Sequence, residues 1–189
     1  MGETLLFHTG FEVIRDPDVH YGKKNADFGQ GFYLSPDSAF SERWARTRSG
    51  MKTWLNTYAL RDEGLKVLRL ERDAAWAEYI YRNRAGYPDG HPDADVIVGP
   101  IANDTIYAVW GITTSGLLTR EQSLALLRIG PDYRQVVVKT ERAAARLTWQ
   151  SARALDRASV EAWRAVVRRE EEAYQGQFLA ALNDMLEKR

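Results

Sequence analysis

Two short segments of the chain carry residue types that suit the binding of a small ligand. The first is His8-Thr9-Gly10, where an apolar run ends in a histidine and a conformationally permissive glycine. The second is Asp27-Phe28-Gly29-Gln30-Gly31-Phe32-Tyr33-Leu34, in which glycines flank Gln30 and aromatic residues follow. Glycine lets the backbone turn tightly and approach a ligand closely, because it has no Cβ atom. The two segments therefore predict a site built from a strand end, a glycine turn and the ring of Tyr33.

The elements that must position these residues are predicted from apolar spacing and turn residues. Residues 4–8 are predicted as the first strand, 12–27 as a loop and 32–34 as a short strand. Ser35 and Pro36 are predicted as the N-cap and first position of a helix. The later predictions are a hairpin of 53–60 with 65–70, strands over 95–98 and 135–139, and helices over 73–84, 104–113, 120–127 and 141–146. The elements do not alternate regularly between strand and helix, which favours an α+β fold.

The composition excludes several kinds of site. A chain of 189 residues most simply forms one domain, and its 26 basic and 26 acidic residues give no net charge to attract nucleic acid or an anionic membrane. There is no cysteine, and the histidines (His8, His20 and His91) lack metal-ligand spacing, so we expect no metal. The sequence has neither a long apolar run nor a signal-peptide pattern. We therefore expect a cytoplasmic protein, with delivery as an effector left open.

The last part of the chain differs in character from the rest. We predict one domain over residues 1–150 and an amphipathic helical extension over 151–189, with Gly176 dividing the extension into two helices. The extension either docks on the domain or forms an arm that binds a partner or a second copy of the chain. Its apolar residues recur at helical spacing: Val160, Trp163, Val167, Tyr174, Phe178, Leu182 and Met185.

The two ligand-site segments resemble the two halves of the nicotinamide pocket in ADP-ribosyltransferases of the diphtheria-toxin and poly(ADP-ribose) polymerase type. The likeness continues from residue 4 to residue 149, and is to a little-characterised bacterial family within that clan. Its blocks occur in order at residues 7–10, 27–34, 56–58, 83–84, 95–104 and 135–143. The resemblance implies an ADP-ribosyltransferase-like fold, with a split, twisted β core, flanking helices and a helical C-terminal extension.

The resemblance also implies a role for each pocket residue, with NAD as the co-substrate. His8 would hydrogen-bond the adenosine-side ribose, and the Gly10 backbone would bind the nicotinamide carboxamide. Thr9, which lies between them, would be a further NAD-binding residue. The turn containing Gly29 and Gly31 would approach the ligand. Tyr33 would stack on the nicotinamide, because an aromatic face suits a flat cationic ring.

The third catalytic position departs from the usual pattern of the clan. Most of those enzymes have a glutamate where Gln135 stands. Glutamine can hydrogen-bond the ribose hydroxyls, but it cannot act as a general base. Gln122 is a rival for the role, although Thr119 and Gln122 have the spacing of a capping box, which accounts for Gln122 structurally. We therefore assign the position to Gln135.

Four further residues have both a ligand-binding and a structural interpretation, and both stay open. Asn103 and Asp104 follow an apolar strand and a Gly-Pro pair, where they would either face a ligand or cap a helix. A ligand-facing Asp104 would supply the carboxylate that Gln135 lacks. Asp27 would bind the ligand or hold the glycine turn through its side chain. Arg84 would bind a pyrophosphate or form a surface salt bridge.

The resemblance implies that the protein is an enzyme, a mono-ADP-ribosyltransferase that uses NAD to modify a macromolecular target, as a bacterial toxin or effector. One alternative is an NAD glycohydrolase, with water as the acceptor. Another is a catalytically inactive module that binds NAD or ADP-ribose, which Gln135 favours. The partners we expect are NAD, an unidentified macromolecular acceptor, and an antitoxin or a second copy at residues 151–189. No membrane partner is expected.

Overall fold

The computed structural model describes residues 3–102 and 106–188, which form an α+β fold with two β-sheets. The prediction of an α+β class is confirmed. The strands are β1 Glu3–Gly10, β2 Phe32–Leu34, β3 Thr53–Arg61, β4 Val67–Arg69, β5 Val96–Pro100, β6 Arg134–Val138 and β7 Leu147–Leu155. The helices are α1 Ser38–Glu42, α2 Ala74–Arg84, α3 Ile106–Thr114, α4 Arg120–Leu127, α5 Glu141–Ala144 and α6 Arg157–Glu187.

The two sheets meet at the strands that carry the predicted site. One sheet has the order β1-β3-β7 and the other the order β2-β6-β5-β4. They are joined by one bridge, in which the Phe7 N–H donates to the Ser35 carbonyl and the Ser35 N–H donates to the Phe7 carbonyl, each at 2.8 Å. Because this bridge fixes β1 beside the end of β2, it brings His8 close to Tyr33.

Strand β6 lies at the centre of the hydrophobic core. Successive side chains of a strand point to opposite faces of its sheet. Val137 accordingly packs with Trp76 and the helices, whereas Val136 and Val138 pack with residues of the first sheet such as Leu6. A strand buried on both faces is an uninterrupted apolar run in the sequence, which is why β6 was predictable.

The hairpin predicted from residues 53–60 and 65–70 is wrong. Strand β3 pairs along its length with β1 on one side and β7 on the other, so neither of its edges is free for β4. Strand β4 instead pairs in parallel with β5 in the second sheet. Asp95 helps to fix that pairing, because its carboxylate accepts the Lys66 N–H at 2.9 Å.

The sequence predicts the cap of α4 correctly and the cap of α1 incorrectly. Thr119 is the N-cap of α4, as its capping-box spacing predicts, and Asp73 and Thr140 are the N-caps of α2 and α5. The N-cap of α1 is Asp37, whose carboxylate accepts the N–H groups of residues 39 and 40. Ser35 was predicted as this cap, but its backbone is engaged in the bridge to β1.

The C-terminal part is a strand followed by one helix, so the predicted helical extension begins later than residue 151. Residues 151–155 belong to β7, an edge strand with mostly exposed side chains and therefore a weak apolar pattern. Helix α6 runs without a break for 31 residues, and the predicted division at Gly176 is wrong. Phe178 is buried in the main core, and Tyr174, Leu182 and Met185 pack against the same core, so α6 is docked on the domain. Binding of an antitoxin or a second copy to α6 stays a prediction.

Two glycines provide a test of this packing with effects of opposite sign. A Cβ atom at Gly31 would lie 2.6 Å from Val137 Cγ1 and 2.7 Å from the Val138 carbonyl oxygen, whereas a Cβ at Gly176 would meet nothing within 4 Å. We expect Gly31→Ala to lower the free energy of unfolding by about 1–3 kcal/mol through overpacking. Gly176→Ala should raise it by about 0.5–1 kcal/mol, because alanine favours a helix more than glycine does. Denaturant unfolding measures both, and a neutral Gly31→Ala would contradict the close contact with β6.

Candidate functional site

A cavity of 350 Å³ lies where β1, β2, α1 and the start of β6 meet. Pockets that bind small ligands generally have volumes of about 300–1,000 Å³. The cavity brings His8, Tyr33 and Gln135 together, although they come from widely separated parts of the sequence. Its lining residues are Phe7, His8, Thr9, Tyr33, Leu34, Ser35, Phe40, Ser41, Trp44 and Gln135.

The hydrogen bonding of His8 defines which of its nitrogen atoms can meet a ligand. Its Nδ1 lies 2.8 Å from the carbonyl oxygen of Tyr33, and because a carbonyl only accepts, Nδ1 carries the hydrogen. Nε2 of the neutral ring is then an acceptor. Burial lowers the pKa of His8 below 6.5, so the ring is neutral at neutral pH. A Cβ at Gly10 would lie 3.3 Å from Nε2, so the glycine leaves space beside that atom.

The lowered pKa of His8 predicts a loss of stability in acid. Below a pH of about 6.5 the unfolded chain binds a proton that the folded His8 does not, which favours unfolding. We expect this group to contribute a decline of at most about 1.4 kcal/mol per pH unit as the pH falls below about 6.5 towards the lower pKa of the folded His8. Denaturant unfolding of wild type and His8→Gln at several pH values measures it. Parallel pH profiles for the two proteins would contradict the burial of a neutral His8.

The ring of Tyr33 is fixed at the cavity wall by its own hydroxyl. The hydroxyl donates to the Gly29 carbonyl at 2.7 Å and accepts the Phe28 N–H at 3.0 Å. Gly29 has a φ of +74°, a conformation that favours glycine. Burial raises the pKa of the Tyr33 phenol, so it stays protonated. Lys139 holds the same turn from the other side, since its Nζ donates to the Phe28 carbonyl at 2.7 Å.

Gln135 is supported from behind by a buried ion pair. Its Nε2 donates to Asp27 Oδ2 at 3.3 Å, and Arg84 Nε donates to Asp27 Oδ1 at 2.7 Å. The Ala102 N–H also donates to Oδ2, at 3.2 Å, and Arg84 Nη2 donates to the Ala102 carbonyl at 2.9 Å. The side chains of Arg84 and Asp27 are 13% and 14% exposed. A glutamine at position 135 is thereby explained, because a glutamate could not donate to Asp27 and would be repelled by it.

These contacts test the two structural roles predicted above, a glycine-turn contact for Asp27 and a surface salt bridge for Arg84. The salt bridge of Arg84 exists, but it is buried with Asp27 and does not lie on the surface. The Asp27 carboxylate bonds to Ala102, Arg84 and Gln135, while the N–H of Gly29 donates to the Ala26 carbonyl. The idea that the Asp27 side chain holds the glycine turn is therefore wrong. Binding of NAD by Asp27 or Arg84 stays a prediction.

The other predicted site residues divide into three groups. Thr9 lines the cavity and its Oγ1 lies 3.0 Å from Ser41 Oγ. Gly10, Gly29 and Gly31 shape the two flanking segments, and in the described part of the chain none of them is among the lining residues. Asn103 and Asp104 lie outside the described residues. The competing residue, Gln122, forms the predicted capping box with Thr119, which confirms its structural role.

Comparison with known proteins identifies the family. The model of a family described as a protein of unknown function (DUF3990) matches residues 4–149 of the 189-residue chain. The chain belongs to the DUF3990 family. No curated protein and no solved structure matches it. All residues that line the cavity lie within the DUF3990 match, whereas α6 lies beyond its end.

Phe40 and Trp44 are cavity residues of this DUF3990 chain that the sequence prediction missed. Both line the cavity, and Trp44 is 55% exposed. An exposed indole beside a cavity is a surface on which a flat ligand can stack. The i, i+4 spacing of the two aromatic residues was visible in the sequence, but the same spacing is usual for residues that face the core of a protein.

In residues 3–102 and 106–188, no group of three or more His, Asp or Glu side chains is arranged to hold a metal ion. Within the same residues, no helix has both the length and the apolar character needed to cross a bilayer.

Proposed function

We propose that the cavity binds NAD and that the protein transfers its ADP-ribose group to a macromolecule. The observation that carries the proposal is the meeting of His8, Tyr33 and Gln135 in one cavity. These residues come from three separate blocks of the ADP-ribosyltransferase resemblance. An ADP-ribosyltransferase-like fold is part of the proposal, and the pair of sheets joined at the bridge between β1 and β2 is consistent with a split core.

Each lining residue has a chemical task in this proposal. The rings of Tyr33 and Trp44 bind the flat, cationic nicotinamide by stacking. The neutral His8 accepts a hydrogen bond from a ribose hydroxyl through Nε2, rather than donating one. Gln135 donates one of its two Nε2 hydrogens to Asp27, which leaves Oε1 to accept from the other ribose and the second Nε2 hydrogen to donate to it. Holding NAD in one orientation in this way favours departure of the nicotinamide.

The transfer exchanges one bond for another at the ribose. The glycosidic C–N bond breaks, nicotinamide leaves with the electron pair, and the acceptor attacks the same carbon and loses a proton. No Asp or Glu occurs among the described residues that line the cavity. The acceptor must therefore be nucleophilic already or be activated by another residue, for which Asp104 is the candidate. Action as a bacterial toxin or effector rests on the resemblance.

The same lack of a carboxylate favours a second candidate function. A cavity lined by His8, Tyr33 and Gln135 suits recognition of NAD or ADP-ribose without turnover, because Gln135 cannot act as a general base and burial lowers the pKa of His8, which makes its ring a weaker base. Hydrolysis of NAD is the remaining enzymatic alternative and would need an activated water molecule.

Nicotinamide release separates these functions. The purified protein is incubated with NAD, with and without cell lysate, and free nicotinamide is followed over time. The proposed transferase releases nicotinamide only when lysate supplies the acceptor. Release without lysate identifies a glycohydrolase, and saturable NAD binding without release identifies a binding module. If the protein neither binds NAD nor releases nicotinamide, the proposal as a whole is contradicted.

NAD binding should depend on the ring of Tyr33. Stacking on a cationic ring is worth about 1–2 kcal/mol when it is desolvated, so we expect Tyr33→Ala to weaken NAD binding about five- to thirtyfold. Tyr21→Ala is the matched control, because the Tyr21 side chain is 92% exposed. Tyr33→Phe keeps the ring but loses both hydroxyl hydrogen bonds, so it should lower the free energy of unfolding by about 1–3 kcal/mol. Its loss of NAD affinity should be smaller than that of Tyr33→Ala. Calorimetric titration measures the NAD affinity of each variant. Equal affinities of folded Tyr33→Ala and wild type would show that Tyr33 does not contact NAD.

A further inference from the structure

A second, smaller cleft adjoins the proposed NAD cavity. It has a volume of 170 Å³ and lies between α1 and α6. It shares Phe40 and Trp44 with the cavity, so the two spaces have a common aromatic wall. Its volume suits a group smaller than a whole drug-sized ligand.

The charged lining of this cleft has three arginines and two glutamates. Arg43, Arg46 and Arg72 all line it, together with Glu170 and Glu171 from α6. The guanidinium group of Arg43 contacts both carboxylate oxygens of Glu170, with Nη1 donating to Oε1 at 2.9 Å. Arg43 is therefore neutralised by an acidic residue of α6.

Neither Arg46 nor Arg72 has a carboxylate partner in the described part of the chain. Arg46 is exposed, and its Nη1 donates to the carbonyl groups of Arg43 and Ala45. Arg72 donates through Nη1 to the carbonyl groups of Arg128 and Gly130, which follow the end of α4.

Arg72 also carries an unused donor. Its Nε is buried and has no hydrogen-bond partner among the described residues. Burial lowers the pKa of Arg72, because the charge of the nearby Asp132 offsets only part of the cost of removing the guanidinium group from water. A buried donor without a partner is uncommon in folded proteins, so a small movement of the Arg72 side chain that lets Nε meet an anion in the cleft would satisfy it.

We propose that this cleft binds a phosphate group, at Arg46 and Arg72. Guanidinium groups match the geometry of phosphate oxygens and form strong, charge-assisted hydrogen bonds with them. The phosphate belongs either to the pyrophosphate of a dinucleotide in the neighbouring cavity or to a phosphorylated acceptor. The inference stands on the cleft itself and does not require NAD turnover.

Glu170 acts in this arrangement as an internal competitor of the phosphate. Its carboxylate occupies the guanidinium group of Arg43, at the edge of the same cleft. Removing its charge frees Arg43 for the ligand. Variants at Arg46 and Glu170 are therefore expected to change phosphate binding in opposite directions, which general damage to the fold would not do.

Calorimetric titration with inorganic pyrophosphate tests the site. Wild type should bind saturably at millimolar concentrations, Arg46→Gln should bind about five- to tenfold more weakly, and Glu170→Gln should bind more tightly. Arg164→Gln, at an exposed arginine on α6 outside the cleft, is the matched control and should equal wild type. Circular dichroism confirms that each variant is folded. Absence of binding to wild type, or equal binding by wild type and Arg46→Gln, would overturn the proposal.

A second set of titrations identifies the source of the phosphate. If it belongs to NAD, Arg46→Gln weakens the binding of NAD but not of nicotinamide riboside, which has no phosphate group. If it belongs to the acceptor, protein saturated with NAD still binds pyrophosphate. If the protein binds pyrophosphate at Arg46 but does not bind NAD, the phosphate site is supported and the proposed function is contradicted. If Arg46→Gln binds pyrophosphate, NAD and nicotinamide riboside as tightly as wild type does, only the phosphate site is contradicted.

Discussion

Replacing Arg84 by methionine should lower the free energy of unfolding by about 3–5 kcal/mol, because it leaves a buried carboxylate without its cation. Arg84 and Asp27 are each less than one-fifth exposed and are joined at 2.7 Å. Arg157→Met is the matched control, since Arg157 forms an exposed pair with Glu161 on α6, and it should cost less than about 1 kcal/mol. Denaturant unfolding of the three proteins measures the difference.

A second substitution, at Asp27, tests whether the unpaired carboxylate charge causes the loss of stability in Arg84→Met. If an unpaired anion causes the loss, Asp27→Asn in the Arg84→Met background should recover part of the stability, because it removes the buried charge. A double variant less stable than Arg84→Met would show that the methionine disrupts packing instead. The account of the ion pair as the support of Gln135 would then be wrong.

Replacing Gln135 by alanine should lower the rate of nicotinamide release about 100-fold or more and change NAD affinity only about threefold. Such a split identifies an interaction that strengthens as charge develops on the ribose. Folding should lose only about 1 kcal/mol, because Asp27 keeps its bonds to Arg84 and Ala102. Rate and affinity are measured separately, by single-turnover assay and calorimetry.

Gln150→Ala provides the control for this experiment, since Gln150 is an exposed glutamine in β7 and does not line the cavity. It should behave as wild type in both assays. Full activity of Gln135→Ala would place the third catalytic position elsewhere, and an equal loss of rate and affinity would mean that Gln135 binds the ground state.

The elements that depend on interactions between residues close in the sequence were predictable. Strand β2 and helix α4 have their predicted bounds, because an apolar run in one and a capping box in the other act over a few neighbouring residues. The pairing of β4 was not predictable in this way. It depends on β3 having both edges occupied, which the sequence between β3 and β4 does not encode.

The candidate site shows the same division. His8 and Tyr33 could be selected from motifs, because a histidine at a strand end and a tyrosine after a glycine turn are local patterns. The ion pair behind Gln135 joins residues 27 and 84, and its burial follows only from the folded chain. Trp44 lies just beyond the end of α1 at Glu42 and is exposed beside the cavity, whereas Phe40 lies within the helix and is buried.

The central claim, that the cavity between β1 and β2 binds NAD, is tested most directly by calorimetric titration of the unmodified protein with NAD. We expect saturable binding of one NAD per chain, which competes with ADP-ribose because both ligands carry the ribose that His8 contacts. Absence of saturable binding at millimolar NAD, from a protein that is folded by circular dichroism, would contradict the claim.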